Sequence, residues 1–142
     1  MEEGELFLGG FAGGFLSKGG TIGYGLYATT NRLIVVNVVK VGATSFLGGR
    51  MAGFVEGQLM PTLSADESAR VIAELDQKKE SDVRKDQISR IELKSPGLFS
   101  FGHIIITAMP GQETKISLRH KVAFQRLRDV MQVFYPEVVT LV

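Results

Sequence analysis

The clearest strand pattern of apolar positions lies between Ile22 and Lys40, and it predicts a β-hairpin. β-branched and aromatic residues are dense on both sides of Asn31, and such residues favour strands over helices. Asn31 follows two threonines, and its short polar side chain tolerates the left-handed backbone of a tight turn. A further short strand is expected near Glu5 to Gly9.

Apolar residues at helical spacing predict an amphipathic helix at about residues 65–79. Ser64 and Glu67 form a capping box at its start, in which each side chain accepts a backbone N–H of the other residue. The narrow apolar stripe of this helix consists of Ser68, Val71, Ile72 and Leu75.

The chain returns to strand patterns after this helix. Ile88 and Ile91 are three residues apart, so they would point to opposite faces of a regular strand. A bulge near Ser89 or Arg90 would bring both to the same face, and we predict one there. The four expected strands are Asp82–Lys85, Gln87–Leu93, Phe99–Ala108 and Glu113–Arg119.

A second amphipathic helix ends the pattern, and Pro136 terminates it. Six or seven antiparallel strands therefore precede one terminal helix, and an apolar sheet of that size must close or pack. We expect a mainly β (α+β) fold, either a small orthogonal sandwich or a partly open barrel, with the helix over one open end. The apolar face of the helix consists of Phe124, Leu127, Val130, Met131 and Phe134.

Several of these segments resemble prokaryotic pleckstrin-homology-like (PH-like, GRAM-like) domains. Gly25–Val36, with its Thr-Asn-Arg-Leu centre, is similar to a hairpin of that family, and Val83–Leu93 is similar to a later strand. Phe101–Thr107 and the Pro110-Gly111 hairpin look like its last two strands, and Val122–Phe134 looks like its capping helix.

The resemblance covers about residues 4–40 and 81–138. It implies a seven-stranded, partly open barrel of two orthogonal antiparallel sheets, capped by a C-terminal helix, in one domain spanning residues 1–142. It also implies a scaffold rather than an enzyme, with no cofactor, and prokaryotic relatives tend to form symmetric oligomers. Family members that bind inositol phosphates carry several basic residues on and after the first strand. Here Phe7 to Gly25 holds only Lys18, so we do not expect that ligand.

Residues 41–80 depart from the family pattern, because a short loop is typical at that point. Small residues four apart, at Gly49, Gly53 and Gly57, would give a helix a flat face for close packing. The segment is either a flexible loop, since glycine lowers helix propensity, or a packing face for another subunit or a membrane. The candidate interaction residues are Phe46, Leu47, Gly49, Arg50, Met51, Gly53, Phe54 and Gly57.

Composition narrows the function classes. A length of 142 residues suits one domain, and the absence of cysteine excludes disulfides, Cys-ligated zinc, iron–sulfur clusters and thiol catalysis. A net charge of +1 argues against a dedicated nucleic-acid binder. The acidic N-terminus differs from a secretory signal, and no run of 18 apolar residues occurs. We therefore expect a cytoplasmic protein, with membrane association left open.

Candidate catalytic and cofactor residues are few. Gly23 to Ala28 matches a loose dinucleotide pattern, but a β-branched run follows it instead of the required helix. His103 and His120 are the only histidines, and neither has a carboxylate or histidine at metal-ligand spacing. We expect His103 to be a strand residue and His120 a surface residue at the helix start, with no catalytic, metal or cofactor site.

Two functional hypotheses follow. The first is a non-enzymatic PH-like module that self-associates and mediates protein–protein interaction, by burying residues 9–20 and 42–60 against neighbouring subunits. The alternative is a peripheral module for anionic membranes, with Phe46, Leu47 and Phe54 inserting and Arg50 meeting head groups. A basic set on the last strand and helix is a candidate anion or lipid face, although such sets also occur on ordinary solvated surfaces. This set consists of Lys115, Arg119, Lys121, Arg126 and Arg128.

Overall fold

The computed structural model describes residues 4–38 and 63–142, which form one eight-stranded mixed sheet and two α-helices. The order of strands across the sheet is β4-β3-β2-β1-β7-β6-β5-β8. Neighbouring strands are antiparallel, apart from the parallel pair β5 and β8. The elements are β1 (Phe7–Lys18), β2 (Thr21–Thr29), β3 (Arg32–Asn37), α1 (Ala65–Lys78), β4 (Ser81–Arg84), β5 (Ile88–Lys94), β6 (Gly102–Ala108), β7 (Gln112–Leu118), α2 (Lys121–Phe134) and β8 (Val139–Leu141).

The predicted hairpin is confirmed as β2 and β3, which turn at Thr30 and Asn31. Both faces of β3 are buried. Leu33 and Val35 lie in the main core, whereas Ile34 and Val36 lie in a second cluster on the opposite face. This two-sided burial explains the continuous apolar run, because a strand with one solvated face would alternate with polar residues.

The first strand is much longer than the predicted segment at Glu5 to Gly9. β1 pairs with β2 from Phe7 to Lys18 and, on its other side, with β7 at Leu16 and Ser17. A register shift in the pairing with β2, between Gly13 and Ser17, marks a bulge in β1. The prediction was too short because a glycine-rich sequence carries little strand propensity, so its neighbours in the sheet hold it extended.

The later strands agree with the sequence pattern in part. The bulge expected near Ser89 or Arg90 is present as a register shift between Ile88 and Arg90. The strand expected to begin at Phe99 begins instead at Gly102. The count also differs from the predicted seven strands in two antiparallel sheets, because the short β8 pairs in parallel with β5 within a single sheet.

The main core lies between the sheet and α2. The predicted helix is confirmed, and its apolar residues Leu127, Val130, Met131 and Phe134 contact buried residues of β1, β2 and β5–β7. Ile116 and Leu118 of β7 point into this core, as their spacing predicts. The helix thus covers one face of the sheet.

Helix α1 covers the opposite face of β1–β3. The capping box between Ser64 and Glu67 is present, and the buried residues of the helix are the predicted Ser68, Val71, Ile72 and Leu75. These side chains pack with Phe7, Tyr27 and Ile34. The helical part of the predicted insert therefore packs on its own sheet, and residues 39–62 lie outside the described residues.

A nearly buried arginine links α1 to the sheet. The Arg32 guanidinium, on β3, binds Asp76 of α1 at 2.6 Å and Asp82 of β4 at 2.7 Å. It also donates to Glu5 at 2.9 Å, whose side chain is fully buried. Its hydrogen bonds lower the pKa of Asp76 to about 2, because they favour the charged carboxylate.

Candidate functional site

Three apolar side chains project from the loop between β5 and β6. Leu98 is 94% exposed, Phe99 is fully exposed and Phe101 is 52% exposed. We call these three residues the apolar tip. Scattered single apolar residues are normal on a protein surface, but neighbouring ones usually mark a contact site.

The loop is held at its base and projects from there. The Gly97 N–H donates to the Ser100 carbonyl oxygen at 3.0 Å, which closes a tight turn around Leu98 and Phe99. At Gly102 the chain passes so close to Lys94 and Pro96 that a Cβ atom would collide with their backbone atoms. This close approach fixes the two ends of the loop next to each other.

Two further contacts connect the tip to β1 and α2. The Arg119 guanidinium lies over the Phe101 ring, with 4.4 Å between the guanidinium carbon and the ring centroid. Its backbone N–H donates to the Phe15 carbonyl oxygen at 2.7 Å. The Phe15 ring is 42% exposed and stacks on His120 with 4.6 Å between centroids. The tip, the bulge of β1 and the start of α2 thus form one end of the molecule.

Three basic residues lie at this end. Lys94 precedes the loop, and Arg119 and Lys121 flank His120 at the start of α2. We call Lys94, Arg119 and Lys121 the basic rim. The sequence has no acidic residue from Leu93 to Gln112 or from Thr114 to Arg128. The first turn of α2 also lacks the acidic residues that commonly stabilise a helix N-terminus.

A shallow apolar pocket of about 340 Å³ lies beside the tip, between the bulge of β1 and the start of α2. Two glycines leave bare backbone in its wall, and no charged side chain belongs to the lining. The lining residues are Phe11, Ala12, Gly13, Gly14, Phe15 and Val122.

The structure separates the predicted basic set. Arg119 and Lys121 lie at the end that carries the tip. Lys115 alternates with the buried Ile116 and Leu118, so it points away from the core on the outer face of β7. The other two lie further along α2, where Arg128 pairs with Asp129 at 3.2 Å. The five predicted residues are Lys115, Arg119, Lys121, Arg126 and Arg128.

The other predicted interaction residues cannot be placed. Phe46, Leu47, Gly49, Arg50, Met51, Gly53, Phe54 and Gly57 all lie outside the described residues. Of the other proposed apolar element, residues 9–20, most belong to β1 and pair within the sheet, while the Phe15 ring reaches the surface.

Both histidines have defined contacts. His103 is a strand residue of β6, and its Nε2 lies 2.6 Å from Glu92 Oε2. The carboxylate comes from the neighbouring strand, so sequence spacing could not indicate it. His120 lies at the start of α2, where its Nδ1 accepts the Val122 N–H at 3.1 Å. Within the described ranges, no three His, Asp or Glu side chains form a group suited to a metal ion.

No known protein family, characterised protein or solved structure matches this chain. Neither described helix has the length and apolar character needed to cross a bilayer.

Sequence reasoning missed the apolar tip because it placed Phe99 and Phe101 in a strand. Two signals mark the loop in retrospect. Pro96-Gly97 and Gly102 bracket the segment as turn and close-packing residues, and the apolar residues between them do not alternate with polar ones over a strand length. The acid-free stretch around the segment is the second signal.

Proposed function

We propose that this protein is a non-enzymatic binding module of PH-like architecture that attaches to anionic membrane surfaces through its apolar tip. The observation that carries the proposal is the full exposure of Phe99 and near-full exposure of Leu98 beside the basic rim.

The PH-like part of the proposal is supported by the order of the strands. β1 pairs with β2 on one side and with β7 on the other, and so joins β2–β4 to β5–β7. A terminal helix then covers the core face. This arrangement agrees with the barrel and capping helix that the sequence resemblance implies.

Burial of the tip in a membrane would be favourable. Transferring one large apolar side chain out of water contributes roughly 2 kcal/mol. Leu98 and Phe99 are already presented by a closed turn, so little ordering would be needed before they insert. Phe101 is only half exposed and stacks under Arg119, which suits a position at the level of the head groups.

The basic rim would add an electrostatic attraction. Each Lys or Arg close to an anionic surface contributes about 1 kcal/mol, and this falls off within one Debye length. No acidic residue occurs in residues 93–112 or 114–128, so the members of the basic rim have no acidic neighbour among the residues that follow them. We therefore expect salt-sensitive binding that also needs the apolar side chains.

Co-sedimentation with vesicles tests this proposal. We expect the protein to pellet with vesicles of phosphatidylglycerol and phosphatidylcholine, and weakly or not at all with phosphatidylcholine alone. The double variant Leu98→Ser, Phe99→Ser should reduce the partition coefficient by about tenfold or more, since two apolar side chains are lost. Added salt should also reduce binding.

Matched controls come from the opposite end and the outer face of the sheet. Met109 is 68% exposed in the turn after β6, so Met109→Ser removes an exposed apolar side chain far from the tip.

Arg119→Gln should weaken binding, whereas Lys115→Gln should change it less. Equal loss in Met109→Ser and the double tip variant would contradict the proposal, as would binding indifferent to lipid charge.

Self-association is a second candidate, and the edge of the sheet favours it. β8 is the last strand in the order, so among the described residues only one of its sides is paired. Leu141 is 53% exposed there. An unpaired strand edge with an apolar side chain is a template for strand addition by another molecule.

A further inference from the structure

The pocket between β1 and α2 adjoins the basic rim through two of its lining residues. Phe15 belongs to its lining, and the carbonyl oxygen of Phe15 accepts the N–H of Arg119 from the basic rim. Val122, on the opposite wall, directly follows Lys121. Two lining residues of the pocket are therefore direct neighbours of Arg119 and Lys121, one through a backbone hydrogen bond and one along the chain.

The side chains that line the pocket favour an apolar occupant. None of the six lining residues carries a charge, and the side chains among them are aliphatic or aromatic. At Gly14 nothing lies within 4 Å of the position that a Cβ would take, so the space above the backbone is open. An aliphatic chain fits these walls, and an anionic group at its end would meet Arg119 and Lys121.

We propose that this pocket binds one acyl chain of an anionic lipid, whose head group lies against the basic rim. The proposal rests on the proposed membrane function and adds a specific lipid site to it. The tip would then hold the molecule on the bilayer surface, and the pocket would select a lipid with a negative head group.

Binding of lauroyl lysophosphatidylglycerol below its micelle concentration tests the site. We expect amide chemical-shift changes in Phe11 to Phe15 and Val122 upon titration of the ¹⁵N-labelled protein. Gly14→Leu should fill the open space and weaken this binding by about tenfold or more. Gly14→Asp should have the same effect, because the acyl chain would have to displace the water around the carboxylate.

A matched control is Gln132→Leu, which adds the same side chain at an exposed position near the other end of α2. This variant should bind the lysolipid as the native protein does. Loss of lysolipid binding in both Gly14 variants, with vesicle binding by the tip retained, would support the pocket.

The acyl-chain site would be overturned if the native protein did not bind the lysolipid, or if the chemical-shift changes were confined to other regions. It would also be overturned if Gly14→Leu bound the lysolipid as tightly as the native protein, or if a neutral lysolipid bound equally well. Saturating shifts in Phe11 to Phe15 with a short extended peptide but none with lysolipid would assign the pocket to a peptide instead. The membrane proposal fails separately, if the native protein binds lysolipid but not anionic vesicles.

Discussion

Arg32 shows how one side chain connects three parts of the chain that are distant in sequence. Its guanidinium binds Glu5 before β1, Asp76 on α1 and Asp82 on β4. Lys79 also contacts Asp76 and Asp82, at 3.2 Å and 2.8 Å. Two cations therefore neutralise most of the charge of three carboxylates, and the group fastens α1 to the sheet.

Removing Arg32 should be strongly destabilising. Arg32→Met leaves the Glu5 carboxylate buried without its guanidinium partner, and breaking such a pair costs about 3–5 kcal/mol of unfolding free energy. Urea denaturation followed by circular dichroism measures the loss. Arg70→Met is the matched control, because Arg70 is exposed on α1, the helix that Arg32 fastens to the sheet. Similar unfolding free energies for the two variants would refute the role assigned to Arg32.

At the scale of elements, locally encoded features were predicted well. The hairpin of β2 and β3, the capping box of α1 and the apolar face of α2 follow from residues close together in sequence. The start of β6 and the existence of β8 were not predicted. Both depend on partners that are distant in sequence, since β8 pairs with β5 across the intervening β6, β7 and α2.

The loop that carries the tip depends on close packing at Gly102. Gly102→Ala should lower the unfolding free energy by about 1–3 kcal/mol, because the added methyl group collides with the Lys94 carbonyl and the Pro96 nitrogen. Thermal or urea unfolding measures this change.

The control for this substitution is Gly14→Ala, where nothing lies within 4 Å of the new methyl group. Its unfolding free energy should stay the same or rise slightly. If both alanine variants were equally stable, the close approach at Gly102 would not constrain the loop.

At the scale of the whole molecule, acidic and basic residues are concentrated in different parts of a nearly neutral sequence. Eight of the 15 acidic residues lie between Asp66 and Glu92, which span α1, β4 and most of β5. Residues 93–128, which include the tip and the basic rim, hold six Lys or Arg and one Glu. A net charge of +1 therefore conceals an uneven distribution of charge along the chain, and such an asymmetry can orient a protein at a charged surface.

The solution mass tests self-association. Light scattering on a sizing column should give a defined multiple of 15.5 kDa that persists at high salt, because apolar contacts are not screened. A clean monomer at both salt concentrations would contradict the oligomer. It would leave the membrane proposal intact, since the tip and the pocket belong to a single chain.

The sequence by itself determined the mainly β class, both described helices and the hairpin, because periodicity and capping act over a few residues. Burial of α1 on its own sheet, the parallel β8 and the projection of Phe99 were decided by the tertiary structure. Each of these depends on which distant backbone approaches, and close packing at Gly102 is not visible in the pattern of apolar and polar positions. The same is true of the pocket, whose walls come from two segments about 110 residues apart in the chain, β1 and the start of α2.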